Sequence, residues 1–510
     1  MDYNNIPIEK FRFAGDSHKA GDKKFDTKPV SYAKDVFIRF CKNKSSVVAA
    51  CIIVFLVLFS TLVPIFCTTT YSQNLTDTNY LRFTKLLPKC DLFAGTGFWD
   101  GASDTTINKA EYLTKRALEV ETGVDLITKV YRADYVDSSS TSKTTFYDVR
   151  VDSYYSNGMT FLTLTEQEFI EMQEWQNENN IQLIYPAVDE TKISNTAKKN
   201  DPNIWYETDR KGTPVLDKDG NYTDIYRKSG PLDNYNSLRI EGDNGSYRYA
   251  KIGGTSENKT YVVRVLLYNY FQYRYGSEPS FFFGTNAKGQ DMLTRLAAGA
   301  QFSLVLAVCI SAINLFIGAI VGAIEGYYGG WIDLCIERLI DILGGVPTTV
   351  VMSLFQLHLA SKVGPIWSMA FAFIATGWIG MSARTRMQFY RFKNQEYVLA
   401  ARTLGAKDGR LMFKHIFPNA MGTIITGSVL SIPGVIFSES SLTYLGIVNL
   451  ESSTSTSLGT LLSNGNATLA SFPHIILFPA LFISLLMISF NLFGNGLRDA
   501  FNPSLKGIED

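Results

Sequence analysis

Val47-Val-Ala-Ala-Cys-Ile-Ile-Val-Phe-Leu-Val-Leu-Phe-Ser-Thr-Leu-Val-Pro-Ile-Phe66 is a run of 20 residues without a charge. As a helix rising about 1.5 Å per residue it reaches roughly 30 Å, the thickness of a bilayer's hydrocarbon core. It predicts a membrane-spanning helix. The 46 preceding residues are polar and no small-residue cleavage site follows cleanly, so the run reads as an uncleaved anchor and not as a secretory signal peptide. Working outward, five further apolar runs lie within Leu296 to Ile324, Ile342 to Ser361, Val363 to Ala383, Ile416 to Gly446 and Phe472 to Leu497. A soluble core rarely needs so many charge-free runs of this length, and six crossings are predicted.

Orientation follows from Lys and Arg in the short connections. Ten precede Val47 and eight lie from Arg384 to Lys414, whereas none lies between Glu439 and Ser471. Both termini and the segment 384–419 are therefore expected in the cytoplasm, and the polar stretch after the first span outside. The predicted organisation is a cytoplasmic segment 1–46, a first span 47–66 and an extracytoplasmic insert 67–290. A membrane core of helices two to six then occupies 291–498, with a tail at 499–510. In the third span, Glu337, Arg338 and Asp341 sit at the cytoplasmic end, where they can reach water or one another.

Composition excludes other classes. Of 510 residues, 48 are Lys or Arg and 48 are Asp or Glu, so the formal charge is zero and nothing points to nucleic acid. Six cysteines, Cys41, Cys51, Cys67, Cys90, Cys309 and Cys335, are scattered without a Cys-x-x-Cys pair, which argues against a disulfide scaffold or zinc cluster. Only Cys67 and Cys90 would share the outer side, where a bridge between them stays open. No Gly-x-x-x-x-Gly-Lys-Ser/Thr phosphate loop, His-Glu-x-x-His or Gly-x-Ser-x-Gly occurs, so the chain is expected to carry no catalytic residues, no metal and no ATP of its own.

The cytoplasmic segment holds Asn394-Gln-Glu-Tyr-Val-Leu-Ala-Ala-Arg-Thr-Leu-Gly405-Ala-Lys-Asp-Gly-Arg-Leu-Met-Phe-Lys-His-Ile-Phe-Pro-Asn419. Residues 395–404 are helix formers, Ala400 and Ala401 give a small smooth surface, and Gly405 suits a helix C-terminus. A second helix is expected from Asp408 as N-cap, with Pro418 at the start of the fifth span, where its missing N–H is tolerated. Small side chains let such a helix sit deep in a partner's groove, with Glu396 and Arg402 setting register by charge. An ordinary solvated connector is the plainer reading of the same pattern.

These residues resemble a family. Glu396-Tyr-Val-Leu-Ala-Ala-Arg-Thr-Leu-Gly-Ala406 with His415-Ile-Phe-Pro-Asn419 is similar to the loop by which the permease subunits of binding-protein-dependent ATP-binding-cassette importers hold their ATPases, in particular the C-type subunit of the oligopeptide and dipeptide branch. The resemblance continues through Gly284-Thr-Asn-Ala-Lys-Gly-Gln-Asp291, Gly329-Gly-Trp-Ile-Asp333, Glu439-Ser-Ser-Leu-Thr-Tyr-Leu-Gly446 and Asn491-Leu-Phe-Gly-Asn-Gly-Leu-Arg-Asp-Ala-Phe-Asn-Pro503. It covers about residues 30 to 100 and 260 to 505. It implies an all-α polytopic membrane protein of six helices with the type I importer permease fold; the middle of the chain is unmatched, and its own helix and strand patterns predict an inserted α+β domain between helices one and two.

What the resemblance implies about function is specific. The subunit would pair with a second, homologous permease, two ATPase subunits holding ATP and Mg, an extracytoplasmic substrate-binding protein and a peptide, all in the plasma or inner membrane. ATPase coupling would fall to Glu396, Tyr397, Ala400, Ala401, Arg402, Gly405, Ala406 and Pro418. Four departures stand out: Leu399 replaces the acidic residue that usually begins the Ala-Ala signature, and Asn286, Gln290 and Asn495 stand where the family more often has Asp, Arg and Asp. Glu439 and Asn314, polar groups within apolar runs, are candidates for the substrate path, although Glu439 can equally be hydrated near the outer interface. A membrane-anchored receptor or adhesion protein and an ion-coupled carrier are the alternatives; the first does not account for five further spans with a patterned inner loop, and the second normally places paired charges near mid-membrane, which this sequence does not show.

Within the insert, Thr165-Glu-Gln-Glu168 is a capping box that predicts a helix through Trp175. Strands are expected at Thr145 to Asp152, Ile181 to Tyr185, Tyr247 to Ile252 and Tyr261 to Tyr270, with a turn at Asp217-Lys-Asp-Gly220. Asp217, Asp219 and Asn221 lack the spacing of a calcium loop. The aromatic stretch Tyr261 to Phe283 is either a contact for an external protein or cross-strand packing.

Overall fold

The computed structural model describes residues 32–67, 83–93, 95–136, 144–188, 193, 200–223, 247–255, 258–451 and 456–501. Parts of the predicted N-terminal segment (1–31) and tail (502–510) lie outside these residues. Helix α1 (Tyr32–Lys42) carries the i,i+4 pair Asp35–Arg39 and leads into α2 (Lys44–Phe66). Asn43 caps α2 by accepting from the Ser46 N–H.

Between α2 and the long membrane helices the chain alternates strands and helices. They are β1 (Ala102–Asn108), α3 (Lys109–Thr122), β2 (Ile127–Val136), β3 (Thr145–Asp152), β4 (Met159–Thr165), α4 (Glu166–Asn179), β5 (Ile184–Tyr185), β6 (Lys251–Gly254), β7 (Lys259–Leu266) and α5 (Leu267–Tyr275). One antiparallel sheet has the order β1-β3-β2; in a second, β7 is flanked by β4 and β5 and also pairs with β6. Strand β3 and helix α4 coincide with the sequence expectation, and the Thr165–Glu168 capping box is present in full. The predicted strand Tyr261 to Tyr270 is shorter: β7 ends at Leu266 and the chain turns into α5, burying Tyr268, Tyr270 and Phe271. With Tyr261 and Phe281 also buried, most of this aromatic stretch is core packing and not an exposed contact.

The membrane part comprises α6 (Met292–Tyr328), α7 (Gly330–Gly344), α8 (Thr348–Val363), α9 (Pro365–Gly377), α10 (Ile379–Phe392), α11 (Glu396–Thr403), α12 (Asp408–Arg410), α13 (Phe417–Tyr444), α14 (Leu458–Asn466) and α15 (His474–Phe501). Five stretches are long and apolar enough to cross a membrane: α2, α6, α9 with α10, Asp408–Tyr444 and α15. The run 342–361 is not one helix, contrary to the prediction. The chain breaks at Gly345-Val-Pro347, and α7 and α8 meet at 76°; counted as one bent span they bring the total to six. Proline, which has no N–H to donate and collides with the preceding turn, stops α7 there.

Helix α6 has 37 residues and so extends about 55 Å, longer than the hydrocarbon core. Its N-cap is Asp291, whose carboxylate accepts from the Leu293 and Thr294 N–H groups. Gly318, Gly322 and Gly326 form a stripe at i,i+4 spacing against α10. A Cβ on Gly322 would lie 2.2 Å from the Ser382 carbonyl oxygen, and one on Gly326 2.5 Å from Phe389 Cβ. In lipid, where apolar burial gives little drive between helices, such close backbone approach supplies the packing. A central cluster of Leu56, Leu296, Ala300, Ile436, Leu486 and Phe490 joins α2, α6, α13 and α15.

The insert is seated on the membrane helices by aromatic contacts. Phe283 stacks on Phe478 of α15 at 4.1 Å between centroids, and Trp99 lies 5.6 Å from the same ring while its indole N–H donates to the Phe282 carbonyl. Among the described residues all six cysteines are free, Cys67 and Cys90 included.

Candidate functional site: the loop after α10

The loop is built from its glycine outward. Helix α11 ends in a Schellman motif: Gly405 is left-handed at φ +83°, its N–H donates to the Arg402 carbonyl (2.9 Å), and the Ala406 N–H donates to the Ala401 carbonyl (3.1 Å). The chain thereby reverses and restarts. Asp408, predicted as N-cap, is the first residue of α12, and Lys407 occupies the cap position. The reason is that the Asp408 carboxylate is engaged elsewhere, accepting from the Tyr327 hydroxyl at 2.6 Å. Residues Leu411–Ile416 form a π-helical turn that runs into α13, with Pro418 in its first turn.

Two faces result. Val398 is buried with Ala323, Tyr327, Phe389, Leu411, Met412 and Ile416, and Ala401 and Ala406 pack at the edge of this cluster. The opposite face is open: Glu396, Tyr397, Ala400, Gly405 and Pro418 are exposed, and Leu404 is 88% exposed at the tip. Arg402 is exposed as well, and its guanidinium reaches back to α6, 5.9 Å from the Tyr327 ring centroid. The Tyr397 hydroxyl accepts from Asn419 Nδ2 at 3.2 Å and so bridges the two halves of the loop; burial pushes that phenol above its usual range. Leu404 escaped the sequence reading, although a large apolar residue between a helix end and its glycine is the visible signal.

The loop is bound to the membrane core through α6 and α10. Lys393 Nζ donates to the Gly326 carbonyl at 2.9 Å. About two turns further in, Arg386 pairs with Asp333 (2.5 Å) and Glu337 (2.7 Å) of α7, and the Tyr390 hydroxyl donates to Asp333. Glu337 and Asp341 therefore find different partners, since Asp341 pairs with Arg338 at 3.0 Å.

The two proposed path residues lie apart. Glu439 is buried, accepting from Ser303 (3.0 Å), Ser440 (3.3 Å) and Thr443 (3.3 Å), and so ties α13 to α6. Asn314 borders a cavity of about 530 Å³ lined by residues of α6 to α10 and α13; Glu439 is not among them.

Residues 314–507 match the family described as binding-protein-dependent transport system inner membrane component, and residues 31–88 match the N-terminal TM domain of oligopeptide transport permease C. The oligopeptide transport system permease protein OppC of Bacillus subtilis (strain 168) is 42% identical over 224 residues, 44% of this chain and 72% of its own. The dipeptide transport system permease protein DppC of the same organism is 40% identical over 225 residues, 44% of this chain and 69% of its own. Among solved structures, the inward-facing MetNI methionine ABC transporter covers 40% of this chain and 97% of its own at 13% identity and a TM-score of 0.33, too distant to bear on fold or state.

Proposed function

The chain belongs to the binding-protein-dependent transport system inner membrane components, in their oligopeptide and dipeptide permease branch, and from that premise we propose how its parts serve transport. It is a non-catalytic, multi-pass membrane subunit of an ATP-driven importer of oligopeptides or dipeptides. A second permease subunit completes the path, and ATPase subunits, which hold ATP and Mg, dock on the open face of α11. The termini and the loop lie in the cytoplasm, α7 with α8 makes a sixth, bent crossing, and residues 67–290 form an extracytoplasmic domain.

The observation that carries this reading is the two-faced loop. Val398 roots α11 in the end of α6 while Ala400, Leu404 and Gly405 face outward, so a push on the exposed side reaches the membrane helices through packed contacts. ATP binding closes the ATPases, α11 moves with them, and α6 and α10, held by their glycine stripe, follow as a pair. The transporter then alternates between inward-open and outward-open states because its ligands bind them unequally. Isolation of the complex through a tag on this chain tests the reading: an ATPase subunit copurifies, and Ala400→Trp loses that subunit together with peptide uptake. Full uptake by Ala400→Trp contradicts it. The insert serves as the platform for the carrier protein; deletion of residues 105–260 with unchanged carrier affinity and uptake removes that role.

A further inference from the structure

The cavity beside Asn314 holds a cation with almost nothing to bind. Arg384 of α10 lines it, is exposed to it, and makes one hydrogen bond among the described residues, from Nη1 to the Gly427 carbonyl at 2.9 Å. A guanidinium has five N–H donors in a planar fork suited to a carboxylate. Arg384 lies eight residues, about 12 Å of helix, before the end of α10 at Phe392, at the cytoplasmic end of the span, where a charge needs water or an anion.

Its surroundings are shaped for it. A Cβ on Gly427 would sit 2.7 Å from Arg384 Nη1, and one on Gly377 2.2 Å from Asn314 Nδ2, so each polar side chain lies in a space that a glycine of a neighbouring helix leaves. Asn314 is 7% exposed, its Nδ2 donates to the Phe373 carbonyl at 3.4 Å, and its Oδ1 has no partner. The Ser311 hydroxyl, buried on the same wall, is also unpartnered. The hydroxyls of Thr348, Thr376, Ser431 and Ser438 complete the polar lining, and no acidic residue belongs to it.

Donors and a positive charge without a counter-ion accept a carboxylate and reject an ammonium. We infer that this cavity is a subsite for the carboxylate of the travelling peptide, Arg384 binding it as a fork and the Asn314 amide and Ser311 hydroxyl accepting the adjoining peptide N–H groups. The inference rests on the peptide-importer reading above and names the end of the substrate that the membrane helices recognise. Because the arginine is only partly satisfied by protein, it offers each passing carboxylate a better partner than the Gly427 carbonyl, yet hydration of the open cavity keeps release fast.

The test uses the complete transporter with its carrier protein in proteoliposomes, loaded with a pool of short peptides or with the same pool amidated at its carboxyl groups. Uptake of each pool is divided by the amount the carrier retains. Arg384→Gln is expected to lower uptake of the free-carboxylate pool about tenfold or more, the loss of a charge-assisted hydrogen bond, and to leave the amidated pool unchanged. Arg384→Lys restores most of the rate, and Gly427→Ala, which displaces the guanidinium, mimics Arg384→Gln. Equal losses for both pools, a loss shared by Arg384→Lys, or uptake within about twofold of the unaltered complex would overturn the inference. Where the carrier declines amides, the split between Lys and Gln decides alone. Failure of the unaltered complex to accumulate either pool is a separate result, against the peptide reading itself.

Discussion

Gly405 carries a backbone requirement that no other described residue of the loop shares. At φ +83° an alanine is strained by about 1–2 kcal/mol, although the space around its Cβ is empty. Gly405→Ala should therefore weaken ATPase retention on the purified complex, and Gly405→Asn, which visits the left-handed region more readily, should weaken it less. Equal retention by both would show that the turn does not position the docking face. Tyr327 makes a second test at this scale. Its hydroxyl donates to Asp408, so Tyr327→Phe should cost about 1.5–3 kcal/mol, and Asp408→Asn added to it should cost little more. Thermal unfolding of the pair of single variants and the double variant measures that coupling; simple additivity would mean the contact is idle.

Among the elements, α6 and α10 act as one piece because glycine removes the side chains between them. Gly322→Leu forces α10 away from α6 and should abolish uptake while lowering the melting temperature. Gly409→Ala, where a Cβ meets nothing within 4 Å, should do neither. This stripe stood in the sequence at i,i+4 spacing, but the apolar run that marks a span does not say which face meets a neighbour. Span existence was legible for the same reason that faces were not: hydrophobic transfer depends on composition, packing on shape. The bend between α7 and α8 was written in Gly345-Val-Pro347 and masked by the apolar residues on both sides. Strands β1 and β2 went unread because they alternate poorly; β1 shows Asp104, Thr105 and Thr106 to solvent in succession. On the loop, Gly405 as a helix end was readable, whereas the burial of Val398 and the contacts of Arg402 and Asp408 with Tyr327 join residues about eighty apart in sequence and needed the fold.

Across the whole molecule, two bodies of different chemistry share one chain. The insert is organised around a buried ion pair: Arg264 bonds Glu121 at 2.8 Å and also donates to the Pro186 and Pro202 carbonyls. Arg264→Met takes the guanidinium away from the buried Glu121 carboxylate and should cost about 3–5 kcal/mol, opening the insert to limited proteolysis without loss of copurifying ATPase. Adding Glu121→Leu should recover much of that resistance. Loss of the ATPases in Arg264→Met would show instead that the two bodies fold as one. For the membrane body, the proposed function predicts that an ATPase subunit grips the tip at Leu404 from the cytoplasm. Placing a photo-activated benzophenone amino acid at position 404 of the full chain, in intact cells, tests it most directly. The predicted product after illumination is a covalent adduct with an ATP-hydrolysing subunit; an adduct with an external carrier protein, or none with any nucleotide-binding protein, would contradict it.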